Sequence, residues 1–492
     1  MTGAETGPGA TAVTGSETGP GATAVTGSET GPGATAGAGV KDEPGVKDEP
    51  GVTAGPAVKA EAGVKEARSG AGRRWAIDLR PLRVPAYRRL WTGNSVAMFG
   101  FQFTAVAVPV EMYALTRDSF WVGLIGVAAF LPLLVFGLWG GVIADVRDRR
   151  QVLLAGSLLL WAATLGLLVQ ALLGVRSPVL LLALVAVQSV GFAIASPARS
   201  AMLPRLVPLD LVPAASTLNY TTNTAATVTG PMVAGLIFGI WGTDTGLPIA
   251  YAADALLLTA LIWAARGLPA LPPEPDPAGA GPRRRGLTGV VDGFRYLATT
   301  PVLLLSFGID LIAMILAMPR ALFPEIAEER FGGGAAVGWL FSAIAIGALL
   351  GGLTSGWIGR IRRQGLALVV AVVGWGVAVA AAGLAGNLWL AVGLLAVAGA
   401  ADLVSAVLRQ SMLLVYAPDR MRGRLQGVNT VVVAGGPRLG DLRAGTMAAG
   451  LGSGVAWIGG GLAAAVLAVL LAVSFPALVR YRTTSTDDTR QP

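Results

Sequence analysis

Long apolar runs follow one another from Leu90 to about residue 478, and short polar stretches separate them. Each run suits a helix that crosses a bilayer, which needs about 20 apolar residues at about 1.5 Å rise per residue. The pattern therefore predicts an all-α membrane protein with twelve transmembrane helices. The predicted spans are 90–116, 121–144, 152–173, 179–196, 214–240, 247–265, 302–323, 335–358, 366–384, 388–408, 426–449 and 455–478.

The segments outside these spans differ from them in composition. Residues 1–72 repeat a unit rich in Thr and Gly and contain almost no large apolar side chains, which predicts a disordered tail. Residues 73–89 are rich in arginine and favour a basic lead-in at the cytoplasmic interface. Residues 267–301 combine a proline-rich linker, three consecutive arginines and a short amphipathic helix, so we expect a cytoplasmic central loop. Residues 481–492 are expected to form a cytoplasmic tail.

The arginines predict the orientation of the chain. One set of connections contains Arg147, Arg149 and Arg150, and further arginines near residues 199–205, 283–295, 360–363 and 420–424, whereas the opposite set contains few. Connections rich in Arg and Lys stay on the cytoplasmic side. Both termini are therefore predicted to be cytoplasmic. No signal-peptide pattern precedes Leu90, so we expect the first membrane helix to act as its own insertion signal.

The composition of the chain limits which reactive, metal-binding and proton-carrying groups it can use. Hydrophobic residues make up 53% of the chain and charged residues 13%, and there is no Cys and no His. Disulfides, thiolate nucleophiles and imidazole bases are therefore excluded, and we expect no metal site and no cofactor. Any proton that the protein moves has to be carried by a carboxylate. The net charge of +8 lies in short blocks between apolar runs, which does not indicate nucleic-acid binding.

Carboxylates inside the apolar spans are candidates for proton coupling, because a charge in the membrane is costly and usually functional. These residues are Glu111, Asp254, Asp310 and Asp402. Asp310 is the strongest candidate, since hydrophobic helix precedes it and no basic residue is near it in sequence. Glu111 has an alternative interpretation, in which its side chain reaches the outer interface.

Two further sets of residues are candidates for a substrate cavity. Asn219, Asn223 and Thr227 recur at helical spacing in the fifth span, where a lipid-facing surface would not carry amides. Met314 and Met318 share a helical face with Asp310, and polarizable methionines suit loose specificity. The remaining cavity candidates are Arg320, Arg438 and Asp441. Arg438 and Asp441 are three residues apart, so a purely structural ion pair is the alternative for them.

The connection between the second and third spans carries a motif. It begins at Gly141, has an acid at Asp145 and ends on Arg149 and Arg150. A plain positive-inside anchor is the simplest interpretation. The motif also resembles the loop signature of the major facilitator superfamily, in which the acid and the arginines form a lock that closes the inner gate. Val146 and Asp148 depart from that signature.

The resemblance extends to the whole membrane region. Residues 352–363 resemble a decayed second copy of the loop motif, as expected for two pseudo-symmetric six-helix bundles at 90–266 and 302–480. Gly230, Pro231 and Gly235 are similar to the fifth-helix signature of facilitator antiporters. Several runs, among them 318–324 and 435–440, resemble bacterial exporters of the enterobactin-exporter and macrolide-efflux type.

The resemblance implies a transporter of the bacterial cytoplasmic membrane that exports a siderophore-like or drug-like molecule by proton-coupled alternating access. The expected partners are that small molecule, protons and the lipid bilayer, and the expected oligomeric state is a monomer. An importer or facilitator of a small nutrient with the same fold is the main alternative. A membrane enzyme and a sensor whose output is the tail are weaker ones, since the chain contains neither a catalytic signature nor an interaction motif.

Overall fold

The computed structural model describes residues 78–272 and 287–481, except for the side chains of residues 138, 140–142, 144, 145, 287–290, 419, 420, 422 and 423. The predicted N-terminal tail, most of the proline-rich linker and nearly all of the C-terminal tail lie outside these ranges. All regular elements in the described ranges are helices. They are α1 (Pro85–Thr116), α2 (Ser119–Val146), α3 (Arg149–Leu172), α4 (Pro178–Leu206), α5 (Val212–Arg266), α6 (Leu287–Thr299), α7 (Pro301–Ala317), α8 (Phe323–Phe331), α9 (Ala335–Leu353), α10 (Gln364–Gly383), α11 (Leu388–Tyr416), α12 (Asp419–Leu451), α13 (Ser453–Ser474) and α14 (Pro476–Val479).

Polar caps let these helices begin abruptly at the membrane surface. The Asp118 carboxylate accepts a hydrogen bond from the backbone N–H of Phe120 at 2.8 Å, and Asp148 caps α3 through the N–H of Arg150 at 2.9 Å. Such caps satisfy N–H groups that the helix itself leaves without partners. Helix α1 begins at Pro85, five residues before the predicted span, because the fixed φ of proline suits a first helical position.

The helices are consistent with twelve passes. Ten of them are long and apolar enough to span a bilayer within the described residues. Helix α5 has 55 residues, about 80 Å at 1.5 Å each, which is far more than one crossing requires. It reverses at Gly242, whose φ of 69° suits glycine, so its arms 212–241 and 243–266 are two passes. The remaining pass is α12. Its charged residues lower its mean hydropathy, so it is not among the ten helices that length and hydropathy identify.

The passes form two halves that meet along two helix pairs. Helices α1–α5 form the N-terminal half and α7–α13 the C-terminal half, and the pairs that join them are α2 with α12 and α5 with α9. Contacts between the halves concentrate at the end where α1 joins α2, which we call the closed end. There Arg117 pairs with Glu328, the Ser119 hydroxyl donates to Glu325, and the Tyr113 hydroxyl donates to Glu329 at 3.3 Å.

The opposite end, where α2 joins α3, carries Arg147 and Arg149, and we call it the arginine-rich end. Toward this end the helices that joined the halves become exposed. Trp139 of α2 is 65% exposed, Tyr220 of α5 is 66% exposed, and Leu353 of α9 is 74% exposed. The two halves therefore contact each other at the closed end, around a vestibule of about 1200 Å³, whereas these three side chains toward the arginine-rich end are exposed.

Glycines let the backbones touch at the closed end. A Cβ atom on Gly338 of α9 would overlap the Pro231 carbonyl oxygen and the backbone of Gly235, both in α5. Gly123 of α2 lies equally close to the backbone of Asp441 in α12. Small residues are what allow membrane helices to approach, since lipid provides no hydrophobic drive between them. Backbone contacts of this kind seal the closed end.

We expect Gly338→Ala to loosen this seal. Overpacking costs about 1–3 kcal/mol, enough to shift a balance between two conformations by about tenfold or more. Because the chain lacks cysteine, spin labels can be attached specifically to Arg176→Cys and Gly386→Cys. Pulsed electron paramagnetic resonance would then measure the distance between the two labels across the closed end. The distance distribution should gain a longer component. Gly374→Ala is the matched control, since a Cβ there meets nothing within 4 Å. Identical distributions for both variants would contradict the role of Gly338.

Candidate functional site

The deepest charge in the C-terminal half is paired. Asp310 of α7 lies 2.6 Å from the guanidinium of Arg409 of α11, measured from Oδ2 to Nη1, and the two side chains are 2% and 5% exposed. Sequence reasoning singled out Asp310 and missed Arg409. The signal was present, because Arg409 is itself a charge within an apolar run, and the rule that identifies intramembrane carboxylates applies equally to arginine.

Four further charged side chains interact electrostatically with this pair or with one another at longer range than an ion pair, and we call the whole set the ladder. Asp402, on the same helix as Arg409, interacts electrostatically with Arg409 and with Arg320. Arg320 in turn interacts with Asp441 of α12, which also neighbours Arg438. The ladder therefore contains three aspartates and three arginines, and its formal charge is zero. The six residues are Asp310, Arg409, Asp402, Arg320, Asp441 and Arg438.

The carboxylates of the N-terminal half are held differently. Asp254 of α5 is 1% exposed and accepts a hydrogen bond from the Thr104 hydroxyl at 2.5 Å. Thr164 of α3 also bonds to Asp254 and itself accepts from the Gln188 amide at 3.1 Å. No basic side chain of the described ranges pairs with Asp254. Hydroxyl and amide groups therefore compensate this carboxylate.

Glu111 is buried in the same way, nearer the closed end. It is 5% exposed and accepts hydrogen bonds from the Gln170 amide of α3 and from the Tyr251 hydroxyl of α5, the latter at 2.5 Å. Its side chain is held by two helices of the N-terminal half and also lines a vestibule at the closed end, so the alternative that it reaches the outer interface stays open. The described residues include no ion pair to Glu111.

Two adjoining cavities follow the N-terminal half toward the arginine-rich end, and Arg438 of α12 lines the first of them from the C-terminal half. The central cavity has a volume of about 230 Å³ and is lined by Thr104, Gln188, Phe192 and Arg438, among others. The second cavity, of about 470 Å³, shares Phe192. It is also lined by Asn94, Arg199, Asn219 and Asn223. The predicted cavity residues Asn219, Asn223 and Arg438 thus line one path, while Arg199 was missed by sequence reasoning.

The path has an aromatic and cationic wall. Phe101 and Phe192 stack with their ring centroids 5.9 Å apart and their planes at 22°. The Arg199 guanidinium lies 6.0 Å from the centroid of Phe192 and donates to the Asn94 amide oxygen at 2.8 Å. Together with Arg438, this arrangement offers a flat apolar surface between two positive charges. It suits a small aromatic or anionic molecule.

Other predicted residues serve helix packing in this conformation. Met314 and Met318 are buried against Gly436 and Gly440 of α12 rather than lining either cavity. The Thr227 hydroxyl donates to the Asn223 carbonyl within its own helix at 2.9 Å.

The antiporter-like motif lies where α5 meets two other helices. Gly230 lies against the side chain of Gln102 in α1, and Pro231 and Gly235 meet α9 through Gly338. The motif therefore lies in the contact of α5 with α9 that joins the two halves.

At the arginine-rich end, the two arginines of the loop motif whose side chains are described donate to carbonyl groups of their own half. Arg149 donates to the Ala201 carbonyl at 3.4 Å, and Arg150 donates to the Arg266 carbonyl at 2.6 Å. Of Gly141 and Asp145 the structure describes only the backbone, which belongs to α2. The inner lock therefore stays a prediction.

The chain resembles known proteins along most of its length. A major facilitator family model described as "Transmembrane secretion effector" matches residues 76–491. The enterobactin exporter EntS of Shigella boydii is 30% identical over 418 residues, which cover 83% of this chain and 97% of that protein. EntS of Escherichia coli matches with the same identity and coverage.

Among solved structures, the nucleoside transporter NupG aligns with a TM-score of 0.61 at 16% identity, over 81% of this chain and 100% of NupG. A D-xylose-proton symporter aligns with a TM-score of 0.61 at 14% identity, over 79% of this chain and 97% of that chain. These similarities show the fold: α-helical, with the two-bundle architecture of facilitator transporters.

We expect Asp310→Asn and Arg409→Gln each to destabilise the protein strongly, because breaking a buried pair leaves one uncompensated charge, at a cost of about 3–5 kcal/mol. The double variant should be more stable than the sum of the single losses predicts. Thermal unfolding of purified protein in detergent would measure this. The control is the exposed pair, with Arg117→Gln and Glu328→Gln, where the expected coupling is about 0–1 kcal/mol. Additive losses at Asp310 and Arg409 would show that the two side chains do not depend on each other.

Proposed function

The chain belongs to the transmembrane secretion effector family of the major facilitator superfamily, and we propose that it exports a small siderophore-like anion in exchange for protons. It is a small-molecule efflux transporter and a multi-pass inner-membrane protein. The observation that carries the proposal is a path lined by Arg438, Arg199 and stacked aromatic rings that leads toward the arginine-rich end.

We propose that the arginine-rich end faces the cytoplasm, so that both termini are cytoplasmic. Arg360, Arg362 and Arg363 lie in the connection of α9 and α10, which the order of the passes puts at the same end as the connection of α2 and α3, and such clusters remain inside. The conformation is then open to the cytoplasm and sealed toward the exterior. Substrate would enter from the cytoplasm or the inner leaflet and leave after the closed end opens.

The proposed substrate class follows from the wall of the path. Two arginines at separate depths attract an anion, and the stacked pair of Phe101 and Phe192 provides a flat surface for a ring. The named relatives are enterobactin exporters, and a catechol-type siderophore is an aromatic anion of this kind. The cavities together are of the order expected for a small-molecule site, about 300–1,000 Å³.

Proton coupling is proposed for the buried carboxylates Asp310, Glu111, Asp254 and Asp402, since the chain has no histidine. An exporter that works against a gradient needs at least one group whose charge differs between the two conformations. Rocking of the halves about the seams of α2 with α12 and α5 with α9 would expose that group to each side in turn.

Asp145, Arg149 and Arg150 are proposed to lock the arginine-rich end once it closes. In the present conformation the arginines bind carbonyl groups of their own half, which leaves them positioned near the mouth of the path. Because the whole path lies within one chain, we propose that a monomer suffices. We also propose that the substrate leaves chemically unchanged, so that the protein is not an enzyme.

Transport by inverted membrane vesicles tests the proposal. Vesicles from Escherichia coli without its own enterobactin exporter should accumulate enterobactin when an imposed pH gradient makes the lumen acidic, and a protonophore should abolish accumulation. Failure to accumulate enterobactin would refute the siderophore, and accumulation unaffected by the protonophore would refute proton coupling. Uptake by right-side-out vesicles instead would favour the importer.

In the same assay we expect Arg438→Gln to raise the apparent KM by about tenfold or more, since a bond to a charged group contributes about 1.5–3 kcal/mol. Arg360→Gln is the matched control, because Arg360 is exposed in a connection at the arginine-rich end. Equal KM values for the two variants would remove Arg438 from the substrate site.

A further inference from the structure

Two buried carboxylates lie along the contact between α1 and α5, within the N-terminal half. On α1, Thr104 and Glu111 are seven residues apart, so they face the same side two turns apart. On the second arm of α5, Tyr251 and Asp254 are three residues apart and share a face. Thr104 bonds to Asp254, and Tyr251 bonds to Glu111. The seam between α1 and α5 therefore carries two successive polar clusters inside apolar surroundings.

The two clusters border different compartments. Glu111 and Gln170 line a vestibule of about 1200 Å³ at the closed end. Thr104 and Gln188, the partners in the Asp254 cluster, line the central cavity that leads to the other end. One carboxylate thus adjoins the side from which protons would come, and the other adjoins the side to which they would go.

The surroundings of both carboxylates permit a change of protonation. Their partners are hydroxyl and amide groups of α1, α3 and α5, and a hydroxyl can donate to an anion or accept from a neutral acid. Asp310 differs, since Arg409 pairs with it. The charged groups facing Glu111 across the vestibule are Arg117, Arg176, Asp244 and Glu328, none of which forms an ion pair with it.

We propose that Glu111 and Asp254 are the outer and inner stations of a proton path through the N-terminal half, with the Tyr251 hydroxyl as the switch between them. The proposal rests on the proton coupling proposed above and specifies its route. In the transfer step, once the Tyr251 hydroxyl has turned from Glu111 toward Asp254 on the same helix face, the Glu111 carboxyl gives its proton to the Tyr251 oxygen while the Tyr251 hydroxyl proton passes to the Asp254 carboxylate. Only O–H bonds form and break, and the negative charge moves from Asp254 to Glu111.

Helix α5 couples this step to the motion of the halves. Its first arm packs against α9 of the C-terminal half. Its second arm, which carries Tyr251 and Asp254, follows the reversal at Gly242. In the present conformation the Tyr251 hydroxyl donates to Glu111 and the Asp254 cluster borders the open path. The path is therefore interrupted at Tyr251, which prevents protons from leaking while the cavity is open to one side.

Tyr251→Phe and Thr164→Val test the path without altering the cavity lining, since neither residue lines the central cavity. In proteoliposomes of the full chain, two assays with enterobactin would be compared. Counterflow at equal pH requires no net proton movement and should stay near the parental rate. Accumulation driven by a pH gradient should fall by about tenfold or more, as expected when a proton-transfer group is lost.

The matched control is Tyr296→Phe, which removes a hydroxyl bonded to the Tyr416 carbonyl in the C-terminal half. It should leave both assays unchanged. Full gradient-driven accumulation by Tyr251→Phe would overturn the proposal. An equal loss in counterflow and in gradient-driven transport would also overturn it. That result would show that the hydroxyl groups only hold the helices together and do not transfer protons.

Infrared titration of the substrate-free protein separates this proposal from the substrate assignment. Among the titrating carboxyl bands of the parent, one should be lost in Glu111→Gln and another in Asp254→Asn. Tyr251→Phe should shift the Glu111 band, and Thr164→Val should shift the Asp254 band. If the parent does not transport enterobactin, these bands still decide the route: their presence with the expected shifts supports it, and the absence of titration at either residue overturns it.

Discussion

An ionised side chain in the hydrocarbon of a bilayer costs at least about 2.5–3.5 kcal/mol, and the architecture of this protein depends on how that cost is offset. The C-terminal half offsets it with arginines, which alternate with aspartates from Asp310 to Arg438 so that the ladder is neutral. The N-terminal half offsets it with hydroxyl and amide groups around Glu111 and Asp254. The first arrangement gives the carboxylates charged partners, and the second gives them neutral partners.

The contacts that join the two halves are also few and individually weak. Glycine-mediated backbone contacts and a few polar pairs seal the closed end, while side chains of α2, α5 and α9 toward the arginine-rich end are exposed. Apolar residues at these seams would gain little from burial, because lipid is as apolar as a neighbouring helix. A seal made of close but individually modest contacts can open and reform, which alternating access requires.

Much of the fold was predictable from the chain itself. The predicted spans correspond to observed helices, and the resemblance to facilitator transporters and to exporters of the enterobactin type is confirmed. The largest boundary differences arise where local chemistry extends or ends a helix. Helix α4 continues to Leu206 rather than 196, α11 continues to Tyr416 rather than 408, and α12 begins at Asp419 rather than 426.

By itself, the sequence determined that the chain crosses a membrane repeatedly and that carboxylates lie within the crossings, because both properties depend on local hydropathy. Only the tertiary structure decided which carboxylates are compensated, since Arg409 reaches Asp310 from a distant helix and Tyr251 reaches Glu111 in the same way. It also decided that Met314 packs a helix while Arg199 lines the path. The physical reason is that helical periodicity predicts which residues share a face, whereas the partner of that face depends on how separate helices pack.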